Sequence, residues 1–187
     1  MTLLIPDLVY VDGAFRSGLT VEVDSGSGRI HAVEPAGAAI GPGERLKGRA
    51  LMPAFCNVHS HAFQRLIRGQ TQWRSASVPD ADFWSWREAM YAVALSLSPE
   101  DVERVSRYCF LQMLRAGITT VGEFHYLQRD PRGERYHDGN ELAARVLAAA
   151  DDVGIRICLL NVCYATGNVN SALRPEQRRF GTPDLDV

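Results

Sequence analysis

His59 and His61 are the residues whose type and spacing first suggest chemistry. They stand in CNVHSHAFQR, residues 56–65, after the apolar run LMPAFCNV, and Gln64 follows three residues later. On a strand, residues i and i+2 share a face with Cα atoms roughly 6.5 Å apart, whereas on a helix they diverge by about 200°. At the end of a strand the pair can therefore aim two imidazoles at one ion, and imidazole suits zinc and iron among others. The other reading is that one or both are ordinary polar residues where a strand stops. Ligand sites of α/β folds lie at the carboxyl ends of strands, which favours the metal reading here.

The elements that must position this pair follow from the pattern around it. Residues 1–49 read as β-rich: Asp12-Gly13 marks a hairpin between apolar residues, LTVEVD and RIHAVE alternate, SGSG at 25–28 turns, and Gly, Pro and Ala make a loop of 35–43. From residue 50 the pattern changes. RALMPAFCNVH has the continuous apolarity expected of a strand buried on both faces. ADFWSWREAMYAVALSL has helical length and composition. Ser98, Pro99 and Asp101 open a second helix as N-cap, first position and capping-box partner, and Gly117 stops it. ITTVGEF is a β-branched strand. Asn140 can cap ELAARVLAAADDV, Gly154 ends it, and IRICLLNVCY is a third buried strand. Strands alternating with helices imply right-handed crossovers and a parallel sheet, so the fold class is α/β. The division expected is a small β domain over 1–49 and βα units over 50–187.

Composition narrows the partners. The 187 residues are 46% hydrophobic and 22% charged, a globular balance. With a formal charge of −2 there is no electrostatic reason to expect a nucleic acid or an anionic membrane. Arg174, Arg178 and Arg179 read as a solvated helix face. No apolar run reaches the ~20 residues that span a bilayer, and MTLLIPDLVYV lacks a basic leader, so a cytoplasmic protein is expected. Cys56, Cys109, Cys158 and Cys163 form no C-x-x-C pair and read as buried thiols.

LMPAFCNVHSH resembles the first barrel strand of the amidohydrolase superfamily, with Ala54 where that superfamily usually has Gly. HSHAFQR, FWSWREAMY and EFHYLQRDPRG together resemble its formimidoylglutamate deiminase family. The resemblance implies a (β/α)8 TIM barrel preceded by a small β-sandwich segment. It implies one zinc per subunit, with iron or manganese left open by H-x-H alone. The implied reaction is metal-dependent hydrolysis of the C=N bond of N-formimidoyl-L-glutamate to N-formyl-L-glutamate and ammonia. By the same resemblance His59 and His61 are metal ligands, and Gln64, Arg87 and Tyr126 contact a small dicarboxylate substrate. A guanidinium offers a carboxylate a planar two-pronged fork, which suits Arg87 to that role. From the residues alone, Arg87 is equally a helix-surface residue, Tyr126 a rim aromatic and Gln64 solvated. Family members are commonly dimeric.

The family pattern also needs a later histidine and a late aspartate as ligands, and a further histidine for proton transfer. His125 and His137 lie in no segment resembling those motifs, and His31 lies in the β-rich segment, so the catalytic groups are unknown from this chain. Three strands of eight lead us to expect an N-terminal fragment with an incomplete barrel, inactive alone. Glu123 points toward a strand end, from which it could reach the histidines, but the residues do not favour that role; Trp84 and Trp86 read as packing residues. The rival expectations are a superfamily deaminase or chlorohydrolase acting on a ring, and a truncated, non-catalytic binding module.

Overall fold

The structure is a computed structural model that describes residues 1–37, 42–71 and 81–182. Part of the loop expected over 35–43, and the last five residues of GTPDLDV, lie outside the described residues. The chain divides into two compact units, Met1–Ala54 and Phe55–Val187.

The first unit is a five-stranded sheet. β1 (Thr2–Val11) turns into β2 (Ala14–Arg16) through Asp12 and Gly13 at φ 51° and 78°. Two successive positive φ values are what a two-residue hairpin turn matched to strand twist requires. β3 (Leu19–Val23) pairs antiparallel with β1 and with β4 (Ile30–Pro35), and β5 (Glu44–Leu51) runs parallel to β1. The 49–59 run is therefore not one strand. Its first residues close this sheet in β5, residues 52–54 are irregular, and β6 (Phe55–Ser60) begins the second unit. Apolar composition alone does not reveal such a break, because Pro53 is its only punctuation.

In the second unit β6, β7 (Ile118–His125) and β8 (Arg156–Asn161) form a parallel sheet in that order. α1 (Phe83–Ser96) and α2 (Pro99–Arg115) connect β6 to β7, and α3 (Glu141–Val153) connects β7 to β8. The core joins Val121 and Ile155 to Val102, Val105 and Phe110 of α2 and to Val146 and Ala149 of α3. Only β7 is well buried. β6 and β8 are not buried on both faces: Val58 is 85% and Leu160 47% exposed. Among the described residues each pairs with β7 alone, and Val58, Phe124 and Leu160 are exposed. The expectation of buried thiols fails for the same reason. Cys56 and Cys158 sit on these flanking strands and are exposed, as is Cys163; Cys109 alone is half-buried, and none is in a disulfide.

Local signals behave more simply. Ser98 and Asp101 form the expected capping box, and Gly117 follows the C-cap Ala116 with φ 83°. α1 has its own box, Asp82 with Ser85. Asn140 occupies the N-cap position of α3, but its side chain makes no capping bond, because the backbone there is not extended (φ −103°, ψ 11°). No described helix is long and apolar enough to cross a membrane.

The arginine cluster is not a solvated helix face. Pro175–Gln177 is a single 3-10 turn, and Arg179 is fully buried. Its Nη1 donates to the carbonyls of Ala94 and Leu97 at the end of α1, and its Nε to that of Arg129 at 3.0 Å. Its own carbonyl accepts from the N–H groups of Gln128 and Arg129, each at 3.0 Å. A cation at a helix C-terminus satisfies carbonyls that have no intrahelical partner and opposes the macrodipole. Arg179→Met should lower unfolding stability by about 3 kcal/mol, the order expected when buried acceptors lose a charged donor. Urea unfolding measures this; a change under 1 kcal/mol would remove the anchoring role.

Candidate metal centre and its pocket

The parallel register, Asn57 opposite Val121 and Ser60 opposite Glu123, brings the end of β6 beside the end of β7. His59 and His61 thereby meet, Nε2 to Nε2, at 3.1 Å. Nδ1 of His61 lies 2.9 Å from the carbonyl oxygen of Phe124. A carbonyl only accepts, so Nδ1 carries the proton, and Nε2 of the neutral ring presents its lone pair to the pocket. Burial of the ring lowers the His61 pKa below the ordinary histidine value, although the Phe124 bond opposes the shift. Two nitrogens 3.1 Å apart fit one ion at the ~2.0–2.1 Å usual for zinc and imidazole, so the residues present fit two of a metal's ligands. Among the described residues no group of three or more His, Cys, Asp or Glu converges as a full cage.

Glu123 lies under this pair. It is 2% exposed, and its Oε1 accepts the N–H of Ala62 at 2.6 Å, immediately after His61. Burial raises its pKa, opposed by hydrogen bonds from Ser60 and Ala62. His125 is buried on the same side of β7, its Nε2 without a partner among the described residues, and burial pulls its pKa down to about 4. His31, in the first unit, and His137 are exposed, and neither lines the pocket.

His59, His61, Gln64, Arg87 and Tyr126 line one cavity of about 540 Å³. Gln64 comes from the 3-10 turn Ala62–Ile67 that follows His61, and its Nε2 donates to the Tyr126 hydroxyl at 2.7 Å. Tyr126 is 8% exposed, and burial pushes its phenol well above the usual range, so it stays a neutral donor. Arg87 enters from α1, its Nε donating to the Tyr91 hydroxyl. Among the described residues no carboxylate pairs with Arg87. Trp86 lines the cavity, whereas Trp84 is 60% exposed with the Arg87 guanidinium 5.7 Å from its ring centre. Tyr91, Tyr164 and Phe180 also line it. Sequence reasoning assigned those three no role, and a local pattern carries no signal for them: two come from residues beyond β8, and Tyr91 reads as an ordinary amphipathic-helix position.

Residues 50–182 match the model of the Amidohydrolase family. The chain is 41% identical over 157 residues to a formimidoylglutamate deiminase of Pseudomonas aeruginosa, covering 83% of this chain and 34% of that protein. It is 29% identical to an 8-oxoguanine deaminase of the same organism, over 86% of this chain and 33% of that protein. An amidohydrolase from Brucella melitensis superposes with a TM-score of 0.86 at 34% identity, over 97% of this chain and 40% of that one. A zinc complex of atrazine chlorohydrolase from Arthrobacter aurescens superposes at 0.64 with 21% identity, over 89% and 37%, a likeness of fold alone. The chain thus spans about a third of the length of the curated proteins it matches.

The His125 pKa, about 4 when folded, lies below its unfolded value, so the stability it contributes is complete above about pH 6.5 and is lost as pH falls toward 4. By pH 5 the loss relative to pH 8 should be about 2 kcal/mol. Glu123 titrates in the opposite sense and is common to both proteins when His125→Asn is compared with the parent. The variant should show a loss smaller by that amount; parallel stability curves from pH 5 to 8 would contradict the buried neutral imidazole.

Proposed function

This chain belongs to the amidohydrolase family, and from that premise we propose that it carries part of the metal and substrate site of a hydrolase acting on the C=N bond of N-formimidoyl-L-glutamate. Its three parallel strands are the first strands of a (β/α)8 barrel, and its β-rich residues 1–49 are part of a small β-sandwich. His59 and His61 are two ligands of a divalent metal, taken as zinc. The identity to a formimidoylglutamate deiminase supports the substrate. The observation that carries the reading is Arg87: a guanidinium with no carboxylate partner among the described residues, lining the same cavity as the histidine pair.

The metal, when bound, supplies Lewis acidity and brings the pKa of water toward ~7. The chain's own residues bind and orient. Arg87 receives one substrate carboxylate through its two Nη atoms. Gln64 and Tyr126, already bonded to one another, present an amide and a neutral phenol beside the histidines. Phe180 and Tyr164 make an aromatic wall that excludes water and strengthens these polar contacts. Water adds its oxygen to the formimidoyl carbon, the C=N nitrogen leaves as ammonia, and the product is N-formyl-L-glutamate.

Ammonia release by the native protein, measured with N-formimidoyl-L-glutamate, guanine, cytosine and a triazine, tests the substrate. Formimidoylglutamate should be preferred, and Arg87→Met should lower its kcat/KM about 100-fold, or roughly 3 kcal/mol of charge-assisted binding. Preference for a ring substrate would replace this reading with a ring deaminase. Metal content is a separate check. His59→Ala and His61→Ala should each bind zinc at least ~10-fold more weakly, because each removes one of few protein ligands. Unchanged zinc affinity in both would remove the metal assignment.

A further inference from the structure

Gln177 is a fully buried amide whose polar atoms all find partners. Its Oε1 accepts the Arg174 N–H at 2.8 Å. Its Nε2 donates to the hydroxyls of Tyr91 at 3.0 Å and Tyr164 at 3.1 Å, with the Gly167 carbonyl at 3.5 Å. The loop beyond β8 closes tightly on it: a Cβ on Gly167 would lie 2.7 Å from Gln177 Oε1 and 2.5 Å from the Ala172 carbonyl oxygen. Tyr91 is 1% exposed, and its hydroxyl oxygen also accepts from Nε of Arg87. The Arg87 guanidinium lies 5.4 Å from the Tyr91 ring centre and 5.7 Å from that of Trp84.

We propose that Gln177 and Tyr91 are positioning residues that hold Arg87 in its carboxylate-binding direction and so set the affinity of the cavity for a dicarboxylate. Neither needs to touch the ligand: Gln177 does not line the cavity, and the Tyr91 hydroxyl is engaged by two donors. A free arginine side chain carries rotamer entropy that must be lost when it grips a ligand. Fixing Nε on a phenol that is itself fixed by a buried amide removes most of that loss beforehand and leaves both Nη atoms directed to the ligand. The Gln177 contact to Tyr91 bridges 86 positions of sequence, so the loop after β8 controls a side chain of α1. This inference rests on the reading of Arg87 as the carboxylate clamp.

The test uses zinc-loaded native protein labelled at arginine nitrogen, with N-formyl-L-glutamate as the probe. Tyr91→Phe removes one oxygen from the relay and keeps the ring; Gln177→Leu removes the amide. In both, the Arg87 Nε–H should exchange with solvent at least ~10-fold faster, as expected for a lost buried hydrogen bond. Probe affinity should fall about 10-fold in the Arg87 protein and not at all in an Arg87→Met background, since residues acting through a third are non-additive with it. Zinc affinity should not move. Unchanged Arg87 exchange in Tyr91→Phe overturns the proposal, even if Gln177→Leu fails to fold. So does an affinity loss that persists in the Arg87→Met background, which marks general damage to the cavity. Equal probe affinity of the parent and Arg87→Met overturns the clamp reading instead, and with it any effect on the ligand; the exchange rates still decide whether the relay holds the side chain.

Discussion

Parallel pairing of β6 with β7 is the constraint on which the histidine site depends. Neither strand alone makes a site. Their register sets the Phe124 carbonyl against Nδ1 of His61 and the Glu123 carboxyl against the N–H of Ala62. The first contact selects the tautomer that turns the Nε2 lone pair inward; the second pins the backbone where the strand gives way to a 3-10 turn. A buried carboxyl is costly unless hydrogen-bonded, and Glu123 spends that cost on the residue directly after the second histidine. Gly122 belongs to the same constraint: a Cβ there would lie 3.4 Å from the Val58 carbonyl oxygen, so a side chain at this position would press on β6 one residue before His59.

The other wall of the cavity is held from a distance. α1 contributes Trp86, Arg87, Met90 and Tyr91, and it touches the strands little. It packs on the 3-10 turn Ala62–Ile67 and is tied at its far side by residues 174–180. Arg179 satisfies the carbonyls at its end, Gln177 holds the Tyr91 hydroxyl, and Arg174 pairs with Glu88 at 2.9 Å. The exposed Arg174–Glu88 pair adds little by itself. The two buried contacts matter more, because the carbonyls and phenol they satisfy have no water to turn to.

Features with a local cause were readable before the structure. The Asp12-Gly13 turn, the Ser98–Asp101 box and the stops at Gly117 and Gly154 are each set by a few adjacent residues, and the H-x-H pair needs only strand periodicity. Gln64, Arg87 and Tyr126 drew attention through motifs, and the structure brings all of them to one cavity with the histidines. What the sequence hid is non-local. An apolar run reads alike whether one face or both are covered, hence the exposed Val58, Leu160, Cys56 and Cys158. An arginine in RRF reads as solvated until the carbonyls that receive it, more than 80 positions earlier, are known. The split of the 49–59 run between two sheets has the same origin, since pairing partners rather than composition decide where one strand ends.

Charge is the final constraint on what the cavity can hold. His61 is kept neutral by burial, and a lone pair on a neutral imidazole contributes no negative charge to an ion. A divalent ion on His59 and His61 would therefore keep its 2+ charge, with the Arg87 guanidinium lining the same cavity and no carboxylate among the described lining residues. Two like-signed centres in a half-enclosed space repel more strongly than they would in open water. Anionic groups relieve that repulsion, whether they ligate the metal or arrive on the substrate. A dicarboxylate would supply two negative charges at once, and in the proposed role of Arg87 one of them would sit at its guanidinium. If the histidine pair holds a divalent ion, metal and anion binding would be coupled through charge: each anionic group that enters would raise the affinity of the ion, and the ion the affinity for the anion.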